Sequence, residues 1–143
     1  MIRVTRQYRF SASHRLHSLR LSEEANRATY GKCNNPHGHG HDYALQVCAR
    51  GPVDEETGLA MDIPTLDRLV EKILMPDLRL RNLNDLPEFK DKVPTTENLA
   101  LYAERRLREH WKETFPARWP ELAGVRILET ARNGFETEGM RSG

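Results

Sequence analysis

Cysteine is scarce in this 143-residue chain, with only Cys33 and Cys48. Two thiols cannot build a disulfide framework, so they read as free thiols of a reducing compartment. Charge of one sign is also missing: Lys and Arg number 22 against 21 Asp and Glu, a net charge of +1. This balance excludes a generally basic nucleic-acid binder and an acidic tail, so no nucleic-acid partner is expected. No apolar run approaches the roughly 18 residues of a membrane span, so no membrane partner is expected either. The opening MIRVTRQYRFSAS alternates and carries arginines where a secretion signal needs an apolar stretch, which makes the cytoplasm the expected address. Repeats, low-complexity tracts and linkers are absent, and the length suits one domain over residues 1–143. With 38% hydrophobic and 30% charged residues the core is modest, and association into an oligomer would bury more surface.

Alternation is the first positive signal. Ile2, Val4, Tyr8 and Phe10 share one parity and Arg3, Thr5, Gln7 and Arg9 the other, which predicts a half-buried strand. Residues 17–36 are polar and turn-rich and read as a long loop. Residues 41–50 alternate again, with Tyr43, Leu45, Val47 and Ala49 on one face, until Gly51-Pro52 ends the run. Residues 53–61 could supply a turn and a short third strand. Asp62-Ile63-Pro64 opens a helix whose stripe is Leu66, Leu69, Val70, Ile73 and Leu74, with Asp62 as the candidate N-cap. Pro94-Thr95-Thr96-Glu97 starts a second helix, striped by Leu99, Tyr102, Ala103, Leu107 and Trp111. Val125, Ile127 and Glu129 share a strand face, and Asn133-Gly134 marks a hairpin that returns over Phe135–Glu138. Strands and helices in separate blocks predict an α+β fold, an antiparallel sheet with two helices on one face.

The segment CNNPHGHGHDY, residues 33–43, carries the chemistry. Residues two apart on an extended chain point to the same side, about 6.6–7 Å apart. His39 and His41 therefore share the core-facing parity of Tyr43 and Leu45, and both rings can lean onto one ion with bonds of about 2.0–2.1 Å. Three ligands and an open position make a catalytic metal site. By spacing alone the third ligand could be His37, His14, His17 or His110, and the metal could be zinc, copper, iron or nickel. His14 is in phase with Phe10 and Ala12 and reaches the same ion if the first two strands pair. His17 and His110 otherwise read as ordinary surface or core histidines, and Cys48 as structural. The glycines between the histidines leave room for a ligand near the backbone.

The ordered segments Phe10–Leu16, Gly31–Pro36, His39-Gly40-His41, Thr57–Asp62, Asn82–Asp85, Pro94–Asn98 and Glu129-Thr130 resemble the 6-pyruvoyl-tetrahydropterin synthase family, which includes the 6-carboxy-tetrahydropterin synthases. The resemblance implies the tunnelling fold, a trimer or a hexamer of stacked trimers, and active sites between subunits. It implies zinc held by His14, His39 and His41, Cys33 as the catalytic cysteine, Glu129 as the pterin anchor, and Thr95 and Thr96 in the stretch lining the pterin pocket. The implied reaction is a carbon–oxygen lyase step on 7,8-dihydroneopterin triphosphate that releases triphosphate, in tetrahydrobiopterin or queuosine biosynthesis. Zinc suits it as a Lewis acid, and a thiolate near a cation suits the role of base. An inward Glu129 needs a partner, and the N–H donors of a pterin offer a bidentate one.

The chain departs from the family's pattern at one place. Alignment on Leu83-Asn84-Asp85 puts Arg79 and Leu80 where the family carries an adjacent Asp-His pair for proton transfer. Neither residue can accept a proton at neutral pH. A zinc- and pterin-binding homologue with altered or absent synthase turnover is therefore the alternative function. His37 could be a replacement base, and Arg79 and Arg81 either an anion contact or a solvated loop.

Overall fold

The computed structural model describes residues 1–139. Its elements run β1 (Ile2–His14), α1 (Glu23–Tyr30), β2 (His39–Gly51), α2 (Ile63–Ile73), α3 (Met75–Leu78), α4 (Thr96–Thr114), β3 (Glu121–Leu128) and β4 (Gly134–Glu136), with short 3₁₀ turns between. The strands form one antiparallel sheet in the order β1-β2-β3-β4. The α+β fold with an antiparallel sheet and helices is thus observed.

The alternating residues explain the layers. Phe10, Tyr43, Leu45, Val47, Val125 and Ile127 line one sheet face and are buried. Against them pack Leu66, Leu69 and Val70 of α2 and Leu99, Ala103, Leu107 and Trp111 of α4 in one continuous core. Arg3, Thr5, Gln7 and Arg9 stay exposed on the other face, as their parity requires. β1 and β2 pair without a bulge over all 13 residues, from Ile2 opposite Gly51 to His14 opposite His39. This unbroken register carries the phase of the core to the histidine end of the sheet.

Two parts of the sequence reading are corrected. Residues 53–61 form no strand: Asp54 Oδ1 accepts the backbone N–H groups of Glu56 and Thr57 in a tight polar turn instead. Residues 17–36 are not a plain loop, because they contain α1. Ser22 Oγ caps it by accepting the Ala25 N–H at 3.0 Å. The helix escaped the pattern because it has no apolar stripe; its one buried residue is Asn26, whose amide donates to the carbonyls of Ser18, Leu21 and Ser22. Asp62 does stand at the N-cap of α2, but its carboxylate bonds to the Thr65 hydroxyl rather than to a backbone N–H. No helix among the described residues is long and apolar enough to cross a membrane.

Candidate functional site

The register of β1 and β2 assembles the site. His14 faces His39 directly, and His41 lies opposite the small Ala12, so the three rings share the core-side face. Their centroids are 4.8, 5.1 and 4.6 Å apart, each pair edge to face. One ring nitrogen from each lies within 4.8 Å of the other two. A tetrahedral ion with bonds of about 2.0–2.1 Å needs nitrogens about 3.4 Å apart, within reach of small ring rotations.

Hydrogen bonding shows what these rings lack. His14 is 1% exposed, and its Nδ1–H donates to the Pro94 carbonyl at 2.8 Å. A carbonyl only accepts, so this bond fixes the tautomer and leaves a lone pair on Nε2. His14 Nε2, His39 Nδ1 and His41 Nε2 are buried with no hydrogen-bond partner among the described residues. Three orphaned nitrogens on converging rings are costly in a bare protein and fit a shared divalent ion. Burial lowers the pKa of His14, and burial together with the nearby His41 lowers that of His39, which favours the neutral, ligating form. His37 stays exposed outside this cluster, with its backbone N–H on Asn35 Oδ1. His17 bonds to Asn34 and His110 to Glu113, both apart from the three rings.

Gly38 has a different duty from the ligand access expected of it. It adopts φ 71°, and a Cβ there would sit 3.0 Å from the His14 carbonyl oxygen. A side chain would push β2 away from β1 where the histidines meet.

Glu129 lies just beyond β3 with its Oε1 3.2 Å from His41 Nε2, though not aligned as a hydrogen bond. Its Oε2 accepts the Thr96 hydroxyl at 3.0 Å. The inward direction read from its parity is observed. Thr96 is buried, whereas the Thr95 hydroxyl is engaged as the N-cap of α4, accepting the Asn98 N–H. Cys33 sits in the 3₁₀ turn Gly31–Asn34, held by its carbonyl accepting the Leu16 N–H at 2.8 Å. It lines a cavity of about 890 Å³ together with His39, His41, Arg15 and His17, a size suited to a small molecule. Burial and the Glu129 carboxylate push the Cys33 thiol above its ordinary value.

The segment at Arg79 and Leu80 is built otherwise. Arg79 is clasped by Glu71 of α2 through two hydrogen bonds of 2.6 and 3.1 Å, so it is no free anion contact. Arg81 donates from Nε to the Pro76 carbonyl. Leu80 is 82% exposed at φ 56°, and its N–H donates to the Ser11 carbonyl on the outer edge of β1. Asp77, the remaining acid nearby, accepts the Tyr102 hydroxyl at 2.7 Å.

Comparison with known proteins agrees with this architecture. A family model described as 6-pyruvoyl tetrahydropterin synthase matches residues 3–140. The chain is 48% identical over 131 residues to the human 6-pyruvoyl tetrahydrobiopterin synthase, covering 91% of this chain and 86% of that protein. It is 47% identical over 131 residues to the Poecilia reticulata protein of the same name, covering 91% and 85% respectively. The solved structure of Caenorhabditis elegans 6-pyruvoyl tetrahydropterin synthase superposes with a TM-score of 0.84 at 38% identity, covering 97% of this chain and 96% of that one. On fold, order of motifs and identity along nearly its whole length, the chain belongs to the 6-pyruvoyl tetrahydropterin synthase family, a family of lyases.

Proposed function

We propose that this protein is a zinc-dependent lyase that acts on 7,8-dihydroneopterin triphosphate and releases triphosphate, forming a 6-pyruvoyl-type product. The observation that carries this reading is the trio of orphaned nitrogens on His14, His39 and His41. An all-imidazole trio leaves a coordination position open, and zinc bound there supplies Lewis acidity toward substrate oxygens. In this reading the Glu129 carboxylate accepts the paired N–H donors of a pterin, a role supported by the Thr96 hydroxyl that holds it. Thr95 supports the same pocket by capping α4. Cys33, on the wall of the histidine cavity, takes a proton from the substrate side chain as its thiolate. Burial and Glu129 oppose that thiolate until positive charge is present at the histidines. The names of the relatives favour the pyruvoyl over the carboxy product and tetrahydrobiopterin over queuosine synthesis. A cytoplasmic homotrimer or hexamer with sites between subunits is the expected assembly.

The second reading, zinc and pterin binding without synthase turnover, is favoured by Arg79 and Leu80. One is committed to Glu71 and the other is apolar, so neither moves a proton. Incubation of the zinc-loaded protein with 7,8-dihydroneopterin triphosphate, following triphosphate release and identifying the product, separates the two. Turnover that falls by about 10²–10⁴-fold in Cys33→Ala, with zinc content unchanged, supports the lyase. Stoichiometric pterin binding without triphosphate release rejects it. In that case, turnover gained by Arg79→Asp/Leu80→His would identify the replaced pair as the cause.

A further inference from the structure

The histidine cavity shares a wall with a second one. Arg15 and His17 line both the cavity of about 890 Å³ that holds His39, His41 and Cys33 and a neighbour of about 990 Å³ that contains Arg20, Lys90 and Lys92. The shared wall is rigidly made. Asn84 grips the Arg15 backbone on both sides, accepting its N–H at 2.7 Å and donating to its carbonyl at 2.9 Å. Arg15 Nε donates to the Asn34 carbonyl at 3.1 Å. Its two terminal nitrogens have no partner among the described residues, so the outer fork of the guanidinium is free to bind an anion bidentately. His17 accepts the amide N–H of the buried Asn34 at Nδ1, 2.9 Å away, so its other nitrogen carries the proton and is a fixed donor.

Charge continues past this wall. The side chains of Arg20 and Lys90 have no ion pair among the described residues, and Lys92 pairs only with Glu88 at 3.1 Å. Asp91 is the one carboxylate on the lining of this second cavity. Elsewhere on the lining of the histidine cavity, Arg27 is already paired with Glu23, and Lys32 has no ion pair among the described residues. A polyanion that crosses the shared wall from the histidine cavity therefore meets a fixed fork and a fixed N–H donor, with three cations in the cavity beyond.

We propose that Arg15 and His17, with Arg20, Lys90 and Lys92 beyond them, form the subsite for the triphosphate end of the substrate. The proposal rests on the reading of the substrate as a triphosphate ester. The pterin end lies toward Glu129 and the highly charged end crosses the shared wall, so the leaving group is already in a basic trough when its bond breaks. Arg15 and His17 are specificity-determining contacts, and the three outer cations hold the tail by charge.

The test is calorimetric titration of inorganic triphosphate into the purified protein, paired with KM for the triphosphate ester. Arg20→Ala/Lys90→Ala/Lys92→Ala replaces exposed side chains and leaves the core intact. It should weaken inorganic triphosphate binding about tenfold or more and raise KM similarly with little change in kcat, while added salt weakens wild-type binding. Arg27→Ala/Lys32→Ala should leave the anion affinity within about twofold, since neither residue lines the second cavity. Unchanged affinity in the triple variant, or a loss located instead in Arg27→Ala/Lys32→Ala, would overturn the assignment. Inorganic triphosphate binding in the trough without any pterin turnover would support the subsite and reject the synthase reading. Turnover with KM unmoved in the triple variant would reject the subsite and support that reading.

Discussion

The two places where β1 touches chemistry are built on opposite principles. At its inner face, His14 joins His39 and His41 with nitrogens that have no hydrogen-bond partner among the described residues. At its outer edge, residues 79–82 are tied to the protein: Arg79 to Glu71, Leu80 N–H to the Ser11 carbonyl, and the Arg81 carbonyl to the Ser13 N–H. Buried polar atoms without a partner beside a cavity point to a position held for a ligand, whereas partnered ones point to structure. The chain brings three histidine rings together at one place and uses the edge segment to fasten α2 and α3 to β1.

The largest effect expected from breaking this contrast is at the histidines. His39→Ala/His41→Ala should lower the zinc content from about one ion per chain to near zero, measured by metal analysis of purified protein. Retention of full zinc in that variant would mean that the orphaned nitrogens are not the ligands. A middle-sized effect is expected from acid. Burial lowers the pKa values of His14 and His39 below the ordinary 6.5. Below that value the unfolded chain takes up protons that the folded, metal-free protein refuses, so acidification favours unfolding. The Tm of metal-free protein should therefore fall between pH 7 and about pH 5.5, and removal of His14 or His39 should flatten the slope. A Tm independent of pH over this window would contradict the buried, neutral state of the rings. The smallest effect is at the edge. Leu80 holds a left-handed backbone with its side chain in solvent, and Leu80→Asn should stabilise by about 0.5–1 kcal/mol, a rise of a few degrees in Tm. A decrease would show that the exposed leucine packs against something in solution.

Much of the fold was legible because alternation is a local signal. The parity of Phe10, Ala12 and His14 and of His41, Tyr43 and Leu45 predicted which way the rings point, and Glu129 followed the same rule on β3. What escaped was α1, a polar helix whose cap at Ser22 is readable but whose stripe does not exist. The imagined strand in 53–61 failed for a related reason: Val53, Leu59 and Met61 suggested apolar spacing, but Asp54 ties the segment into a turn. Arg79 is an exposed turn residue, as the solvated-loop alternative has it, but its pairing with Glu71, eight residues back on α2, carries no signal in the sequence.

From the chain alone came the phase of each strand, the two striped helices and the convergence of His39 with His41, all governed by contacts within a few residues. Spacing left the third ring open and the family resemblance named His14; the tertiary structure alone decided that the Pro94 carbonyl sets its tautomer and that Asn84 clamps Arg15 at the wall of two cavities. Those partners are separated by 80 and 69 residues along the chain. No periodicity reports such pairs, because they exist only once burial in a common core has brought distant segments to hydrogen-bonding distance.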